Sequence, residues 1–227
     1  MSAFRGFSGE MVTFFERLKK NNQKEWFDAH RKEYEQFVME PARTFVLDMG
    51  ERLRTIAPGI QAVPKVNQSL FRINRDTRFS RDKRPYKTNL GIWFWEGKRK
   101  RMECSGFYFH VADGKLMLGT GMYLFSPQLL NPYREAVVDK KHGRRLASAV
   151  SRVSGKGYLI GVKHYKKVPR GFDAGHERAE LLLHNGLTAM EEQEIPSEFF
   201  SPAIIDYAFS GFKDMLPIHE WLRDTLG

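Results

Sequence analysis

Cysteine and long apolar runs are scarce in this sequence. Cys104 is the single cysteine among 227 residues, so no disulfide can form within the chain and no cysteine-rich zinc site can assemble. No apolar run approaches the roughly 20 residues of a membrane-spanning helix, and the start of the chain contains no apolar core of signal-peptide length. We therefore expect a soluble, cytoplasmic protein that has no membrane partner.

Histidines are present but do not occur at metal-binding spacing. The seven histidines form no HxH or HExxH pattern, so we expect no metal centre and no dedicated transition-metal site, and the sequence names no cofactor. His176 is retained as a candidate catalytic residue because it could share a helix face with His184. Cys104 has no identifiable histidine partner and is better explained as a small buried residue than as a nucleophile.

Acidic residues are outnumbered by basic ones. The 37 lysines and arginines exceed the 27 acidic residues and give a net charge of +10 with neutral histidines. Such an excess favours anionic partners, namely phosphates, acidic metabolites or nucleic acid. Hydrophobic residues (41%) and charged residues (28%) are at ordinary globular levels, which predicts a folded protein with a substantial core.

Apolar side chains recur at three- and four-residue intervals in the first quarter of the chain, which indicates helices. We predict a first helix over 9–20, a break at Asn21 and Asn22, and a second helix from about Gln23. A third helix should begin near Pro41, because proline is favoured in the first helical turn.

Short apolar segments separated by turn residues follow, and they predict an antiparallel meander. The predicted strands lie near 71–73, 90–95, 107–111 and 116–123. Beyond them we predict mainly helices, with a single returning strand. The helices are expected from Ser126-Pro127, over 144–153, 176–184 and 203–212, and around Trp221, and the strand within 158–165.

These patterns predict one α+β domain over residues 1–227, in which an antiparallel sheet carries an N-terminal helical unit and C-terminal helices packed on it. Its parts are the helical unit (1–59), the sheet with a basic loop (60–125), and the helices with the returning strand (126–227).

The stretch that links the first two predicted strands has an unusual density of positive charge. This basic loop, residues 71–89, reads FRINRDTRFSRDKRPYKTN and holds seven arginines and lysines against two aspartates, Asp76 and Asp82. Aromatic and apolar residues interleave the charges, so we expect an ordered loop and not a disordered tail. Loops held by a rigid sheet often carry binding groups.

Arginine can grip a phosphate or carboxylate with two parallel hydrogen bonds, so the basic loop is predicted to bind anions. Asp76 and Asp82 are candidates to orient its arginines or to act as a general base. Two carboxylates cannot partner seven mutually repelling cations, which favours an external anion. The predicted anion-binding residues are Arg72, Arg75, Arg78, Lys83, Tyr86, Lys87 and Arg134, with a backbone turn at Gly119 and Gly121 completing the wall.

The same stretch carries a family resemblance. The segments RINRDTRFS (72–80), DK (82–83) and PYK (85–87), together with NN at 21–22 and GTGMY at 119–123, closely resemble the signature of a mostly bacterial family of conserved hypothetical proteins, domain of unknown function 2461. The resemblance covers nearly the whole chain and implies a soluble α+β protein. No reaction is assigned to that family, so no catalytic role carries over.

Three functions agree with these observations. The first is binding of an anionic small molecule, a phosphorylated metabolite or nucleotide, at the basic loop. The second is non-enzymatic nucleic-acid binding across a wider face that adds 98–101, Lys140, Lys141, Arg144 and Arg145. The third is a structural or interaction role in which the loop's arginines and aspartates pair internally. The sequence leaves the ligand, the existence of turnover and the oligomeric state open.

Overall fold

The chain folds as an α+β protein, as the sequence predicts. The computed structural model describes residues 3–161 and 163–227. Its α-helices within those ranges are α1 (Gly9–Lys20), α2 (Lys24–Ala29), α3 (Arg31–Glu33), α4 (Glu40–Leu53), α5 (Pro127–Val138), α6 (Lys140–Ser154) and α7 (Ile204–Leu226). Its strands are β1 (Ile60–Gln61), β2 (Asn89–Glu96), β3 (Ser105–Ala112), β4 (Lys115–Met122), β5 (Leu159–Ile160) and β6 (Leu187–Glu194).

The strands form one six-stranded antiparallel sheet in the order β1-β2-β3-β4-β6-β5. The consecutive strands β2, β3 and β4 make up the predicted meander. The turn between β3 and β4 is formed by Asp113 and Gly114, which both adopt positive φ (50° and 76°). No helix in the described ranges combines the length and the apolar character that crossing a membrane would require.

The chain divides into two compact units, each made of separate stretches of sequence. The first unit comprises residues 1–94, 108–117 and 192–210, and the second comprises 95–107, 118–191 and 211–227. The expectation that the whole chain forms a single domain stays a prediction.

An aromatic cluster around α4 forms the core of the first unit. Phe45 is fully buried, and its ring lies 5.3 Å from Phe4, 5.3 Å from Phe7 and 4.6 Å from Phe109. Large aromatic side chains contribute the most buried area per residue, so this cluster is a principal source of stability for the first unit. The predicted helices α1 and α4 are confirmed. The long second helix is interrupted: α2 and α3 are followed by a π-helical segment, Tyr34–Met39.

The predicted first strand near 71–73 is not a regular strand of the sheet. Leu70 makes an isolated bridge to Ile92, and the next residues turn away to pair with a later part of the basic loop. The local pairing takes up the backbone groups that a sheet strand would need, since Lys87 N donates to Ile73 O at 2.8 Å. The edge of the sheet is instead formed by β1.

β6 is the main feature of the second half that the helical prediction missed. Its sequence, LTAMEEQE, is rich in helix-forming residues, yet it pairs as a strand between β4 and β5. Leu187 and Ala189 are buried while Thr188 and Met190 are half-buried, which is the alternation of a strand. The returning strand within 158–165 is confirmed only as the short β5, and Val162 lies outside the described residues.

The helix predicted over 176–184 is wrong, because only a 3₁₀ turn, Ala179–Leu183, forms there. The side chain of Arg178 is buried and donates from Nε to Val137 O at 2.7 Å, with further bonds to the carbonyls of Val138 and Asp139. These carbonyls end α5, so a non-local arginine caps that helix, and Arg178 itself lies outside helical geometry with a φ of −114°.

α7 is one helix of 23 residues where the sequence analysis predicted two segments. It continues through Pro217 because its apolar side chains stay buried on both sides of the proline. The buried apolar residues around the proline include Phe212, Met215, Ile218, Trp221 and Leu222.

A buried polar network ties α7 to the sheet within the second unit. His219 is fully buried, with Nδ1 3.0 Å from Ser105 Oγ and Nε2 2.8 Å from Glu96 Oε2, and Arg223 reaches the same Glu96 oxygen at 3.4 Å. Serine, histidine and carboxylate follow the order of a catalytic triad. However, Ser105 is only 3% exposed, and the adjoining cavity of about 20 Å³ has room for about one water molecule. The network therefore has a structural role.

Replacing Ser105 by alanine should destabilise the protein. The Ser105→Ala change leaves a ring nitrogen of His219 buried without a partner, which costs about 1–3 kcal/mol of unfolding free energy. Ser148→Ala on the exposed surface of α6 is the matched control and should stay within about 0.5 kcal/mol of the unsubstituted protein. Urea unfolding followed by tryptophan fluorescence measures both, and equal effects would contradict the structural assignment.

Candidate functional site

The basic loop folds back on itself as a small hairpin. Asn74 and Tyr86 form an antiparallel bridge, and Arg75 N donates to Pro85 O at 2.8 Å. The residues from 76 to 84 form the tip. A hairpin this short is marginal alone in water, so it depends on contacts outside itself.

Its anchor is Asn22, in the break between α1 and α2. The Asn22 side chain donates from Nδ2 to Tyr86 O and accepts at Oδ1 from Tyr86 N, both at 3.0 Å, as a neighbouring strand would. The Tyr86 ring is 6% exposed and stacks on Phe27 with ring centroids 4.3 Å apart. Burial raises the pKa of Tyr86. Although predicted as an anion ligand, Tyr86 is placed where it attaches the loop to α2.

The two aspartates of the loop hold three of its arginines. Asp82 accepts from Arg75 NH1 at 2.6 Å and from Arg84 NH2 at 2.7 Å, and Asp76 accepts from Arg78 Nε at 3.0 Å and NH2 at 2.7 Å. These bonds favour the ionised carboxylates. The bonds from Arg84 are the largest cause of the lowered pKa of Asp82, and those from Arg78 of the lowered pKa of Asp76.

Their ionisation bears on the roles predicted for Asp76 and Asp82. A carboxylate is a weak general base at neutral pH when its pKa is depressed and its oxygens already accept hydrogen bonds from arginine. The geometry fits the other predicted role, in which both aspartates orient arginines.

The remaining cations of the loop lie near its surface. Lys83 Nζ donates to Thr77 O at 3.0 Å, Lys87 Nζ lies 5.5 Å from the centre of the Phe71 ring, and Arg72 and Arg81 are exposed. Seven cations against two aspartates leave the loop a local net charge of +5. The basic loop is therefore internally braced and still strongly electropositive.

Phe79 is an unusual residue at the tip of the loop. Its side chain is 95% exposed, and the Arg78 guanidinium lies 5.7 Å from its ring. The sequence analysis treated the aromatic residues of the loop as packing groups and missed this one, because nothing in the local sequence distinguishes a buried phenylalanine from an exposed one.

The other predicted site residues lie in the second unit. Gly119 and Gly121 are in β4 and do not form the predicted turn. Gly121 has a φ of 120°, and a Cβ there would collide with the backbone carbonyl of Leu187 in β6, so glycine allows two strands to approach. The prediction of a turn at these glycines is therefore wrong, because both belong to a paired strand.

Arg134 and His176 have partners within the second unit. The Arg134 guanidinium lies 5.0 Å from the centre of the Tyr165 ring. His176 Nδ1 accepts from Arg178 N at 3.0 Å, which makes His176 a support of the buried arginine that caps α5. That arginine was missed because its acceptors are distant in sequence.

Acidic and histidine side chains do not cluster in the part of the chain that the structure describes. No group of three or more histidine, cysteine or acidic residues there is arranged to hold a metal ion. Among the acidic residues, Glu96 is bound to His219 and Arg223.

The fold and the site define an α+β protein that presents a braced, basic hairpin with an exposed aromatic tip. The chain belongs to the family of conserved hypothetical proteins DUF2461, whose model matches residues 10–221. Neither the curated proteins nor the solved structures include a match to the chain.

Low pH should break the ion pairs of the basic loop. Because the pKa of Asp82 is lowered in the folded protein, its stabilising contribution is complete above the ordinary aspartate value of 3.8 and is lost as pH falls through the lower folded value. Carboxyl ¹³C NMR should find the Asp82 midpoint below 3.8, and Arg84→Ala should move it upward. A midpoint that Arg84→Ala leaves unchanged would contradict the pairing.

Proposed function

We propose that the basic loop binds a phosphate-bearing ligand, and that this ligand is single-stranded nucleic acid. The observation that carries the proposal is the 95% exposed Phe79 among the cations of the tip. Nucleobases stack on exposed aromatic rings irrespective of sequence while lysines and arginines contact the phosphates, and stacking contributes about 1–3 kcal/mol per base.

The charges at the tip support this partner. Arg78 is held by Asp76 through Nε and NH2, which leaves NH1 as a further donor group, and its side chain is 77% exposed. An arginine braced in this way loses less side-chain entropy when it contacts a phosphate. Arg81 and Lys83 add exposed positive charge within a few residues of Phe79.

The open shape of the tip favours a polymer over a free small molecule. Small-molecule sites are concave and bury most of the ligand surface, whereas Phe79 and Arg78 are largely in solvent. An extended polyanion gains affinity from several exposed cations at once, because each phosphate contact releases counterions. A contribution from the wider basic face, including Lys140 and Lys141, stays a prediction.

The internal pairing of three arginines supports a second candidate, a purely structural loop. In that case the Asp82 and Asp76 ion pairs would serve only to hold the hairpin. Surface ion pairs contribute little stability, so holding the hairpin together is a weak explanation for seven cations in one loop.

Phe79→Ala should weaken the binding of a fluorescein-labelled single-stranded oligonucleotide of about 20 nucleotides by about 1–3 kcal/mol, roughly 5- to 150-fold. Fluorescence anisotropy measures the dissociation constant. Phe200→Ala is the matched control, since Phe200 is also exposed (49%) and lies outside the basic loop. Equal affinity of the Phe79→Ala variant and the unsubstituted protein would contradict the proposal.

Arg81→Ala should also weaken the salt dependence of binding, because one phosphate contact is lost. The slope of log K against log salt concentration should become shallower by roughly 0.7. Arg54→Ala, at an exposed arginine just beyond α4, should leave the slope unchanged. A slope near zero for the unsubstituted protein would exclude nucleic acid. Competition at a single site by a free mononucleotide, as strongly as by the oligonucleotide, would support the small-molecule hypothesis instead.

A further inference from the structure

A cavity of about 290 Å³ lies within the second unit, beside the edge strand β5. Thr188 and Met190 of β6 line it, together with Gly161, Lys163 and His164, which follow β5 in the sequence. The pairing of Leu159 with Met190 and the bond from Gly161 N to Thr188 O (2.8 Å) fix the two segments relative to each other. The cavity therefore rests on regular strand pairing.

Lys163 brings positive charge to this cavity, and His164 adds an imidazole that can donate a hydrogen bond. The His164 backbone N–H donates to Leu183 O at 2.9 Å, which fixes the segment that carries both side chains. The Lys163 ammonium pairs with Glu180 and is half exposed. Burial and the nearby charge of Lys163 both lower the pKa of His184, which is 4% exposed, so the ammonium acts on the interior beside the cavity.

A second cation, Arg134, is linked to the cavity through an aromatic residue. His164 and Tyr165 are in edge-to-face contact at 4.7 Å, and the Arg134 guanidinium lies 5.0 Å from the other ring of that pair, Tyr165. Within the described residues, Arg134 Nε and His184 Nδ1 are buried without a hydrogen-bond partner. Arg134 was a candidate anion ligand from the sequence, and these contacts link it to this cavity.

The remaining lining residues suit the apolar part of a small ligand. Leu124 and Met190 contribute aliphatic surface, and Tyr123, 82% exposed, contributes an aromatic ring at the rim. Asn185 and Thr188 add polar groups that can orient a ligand. Small-molecule sites commonly combine an apolar lining with a few convergent polar groups, and their volumes begin at about 300 Å³.

We propose that this cavity binds a small organic anion, with its phosphate or carboxylate group at Lys163 and His164 and its aromatic or aliphatic body against Leu124, Met190 and Tyr123. The inference does not rest on the function proposed for the basic loop, because the residues, the unit and the ligand are different. The volume admits a compact molecule and excludes a folded polymer.

The test is a titration of the full-length, ¹⁵N-labelled protein with phenyl phosphate, followed by amide chemical shifts. We expect saturable shifts at Gly161, Lys163, His164, Asn185 and Thr188. The double variant Lys163→Met/His164→Gln should bind phenyl phosphate about tenfold more weakly or worse, since hydrogen bonds to charged groups contribute about 1.5–3 kcal/mol. Lys167→Met, at an exposed lysine a few residues further on, is the matched control and should bind normally.

Three outcomes would overturn the proposal. If neutral benzyl alcohol binds as tightly as phenyl phosphate, the cavity does not recognise the anionic group. If inorganic phosphate binds as tightly as phenyl phosphate, the cavity does not recognise the apolar part of the ligand. Shifts confined to residues 71–89 would assign phenyl phosphate to the basic loop. A double variant that keeps the amide spectrum of the folded protein but binds phenyl phosphate as the unsubstituted protein does would exclude Lys163 and His164 as ligands.

Discussion

The pairing of the Asn22 side chain with the backbone of Tyr86 is the interaction on which the basic loop depends. The loop carries a local net charge of +5 and pairs with itself over only a few residues, so it lacks the means to stay ordered alone. Asn22 supplies a donor and an acceptor at strand-like positions, and the stack of Tyr86 on Phe27 adds apolar burial. With that end attached to α2, the tip can hold charges that would otherwise favour disorder.

Charge compensation then determines how the arginines are arranged. Asp82 is shared between Arg75 and Arg84, and Asp76 is engaged by Arg78, so each aspartate fixes the direction of at least one guanidinium. The lowered pKa values of both aspartates reflect these bonds, but exposed pairs of this kind add little to the free energy of folding. Their main effect is to orient the guanidinium groups, and fixed guanidinium groups are of use to a loop that contacts another anion.

The sequence predicted those parts of the molecule that local pattern determines. Helical spacing identified α1, α4, α5 and α6, and the short apolar segments separated by turn residues identified the meander of β2, β3 and β4. The failures share a non-local cause. β6 has the composition of a helix and becomes a strand by pairing with β4 and β5, and Arg178 in the region before it binds acceptors that lie 39–41 residues away. Likewise, the composition of the basic loop indicated its importance, but its anchor is 64 residues distant and its exposed Phe79 has no local signature.

The net charge of +10 indicated an anionic partner but did not distinguish an exposed loop from a cavity as its binding site. The local surroundings of the cations distinguish the two. In the basic loop, arginines braced by aspartates stand in solvent beside an exposed ring, an arrangement that suits a polymer with repeated phosphates and stacked bases. In the cavity beside β5, fewer cations border an apolar lining, and Arg134 is shielded by Tyr165. The positive charge of the chain thus occurs in two different surroundings, one exposed beside an aromatic ring and one beside an apolar lining.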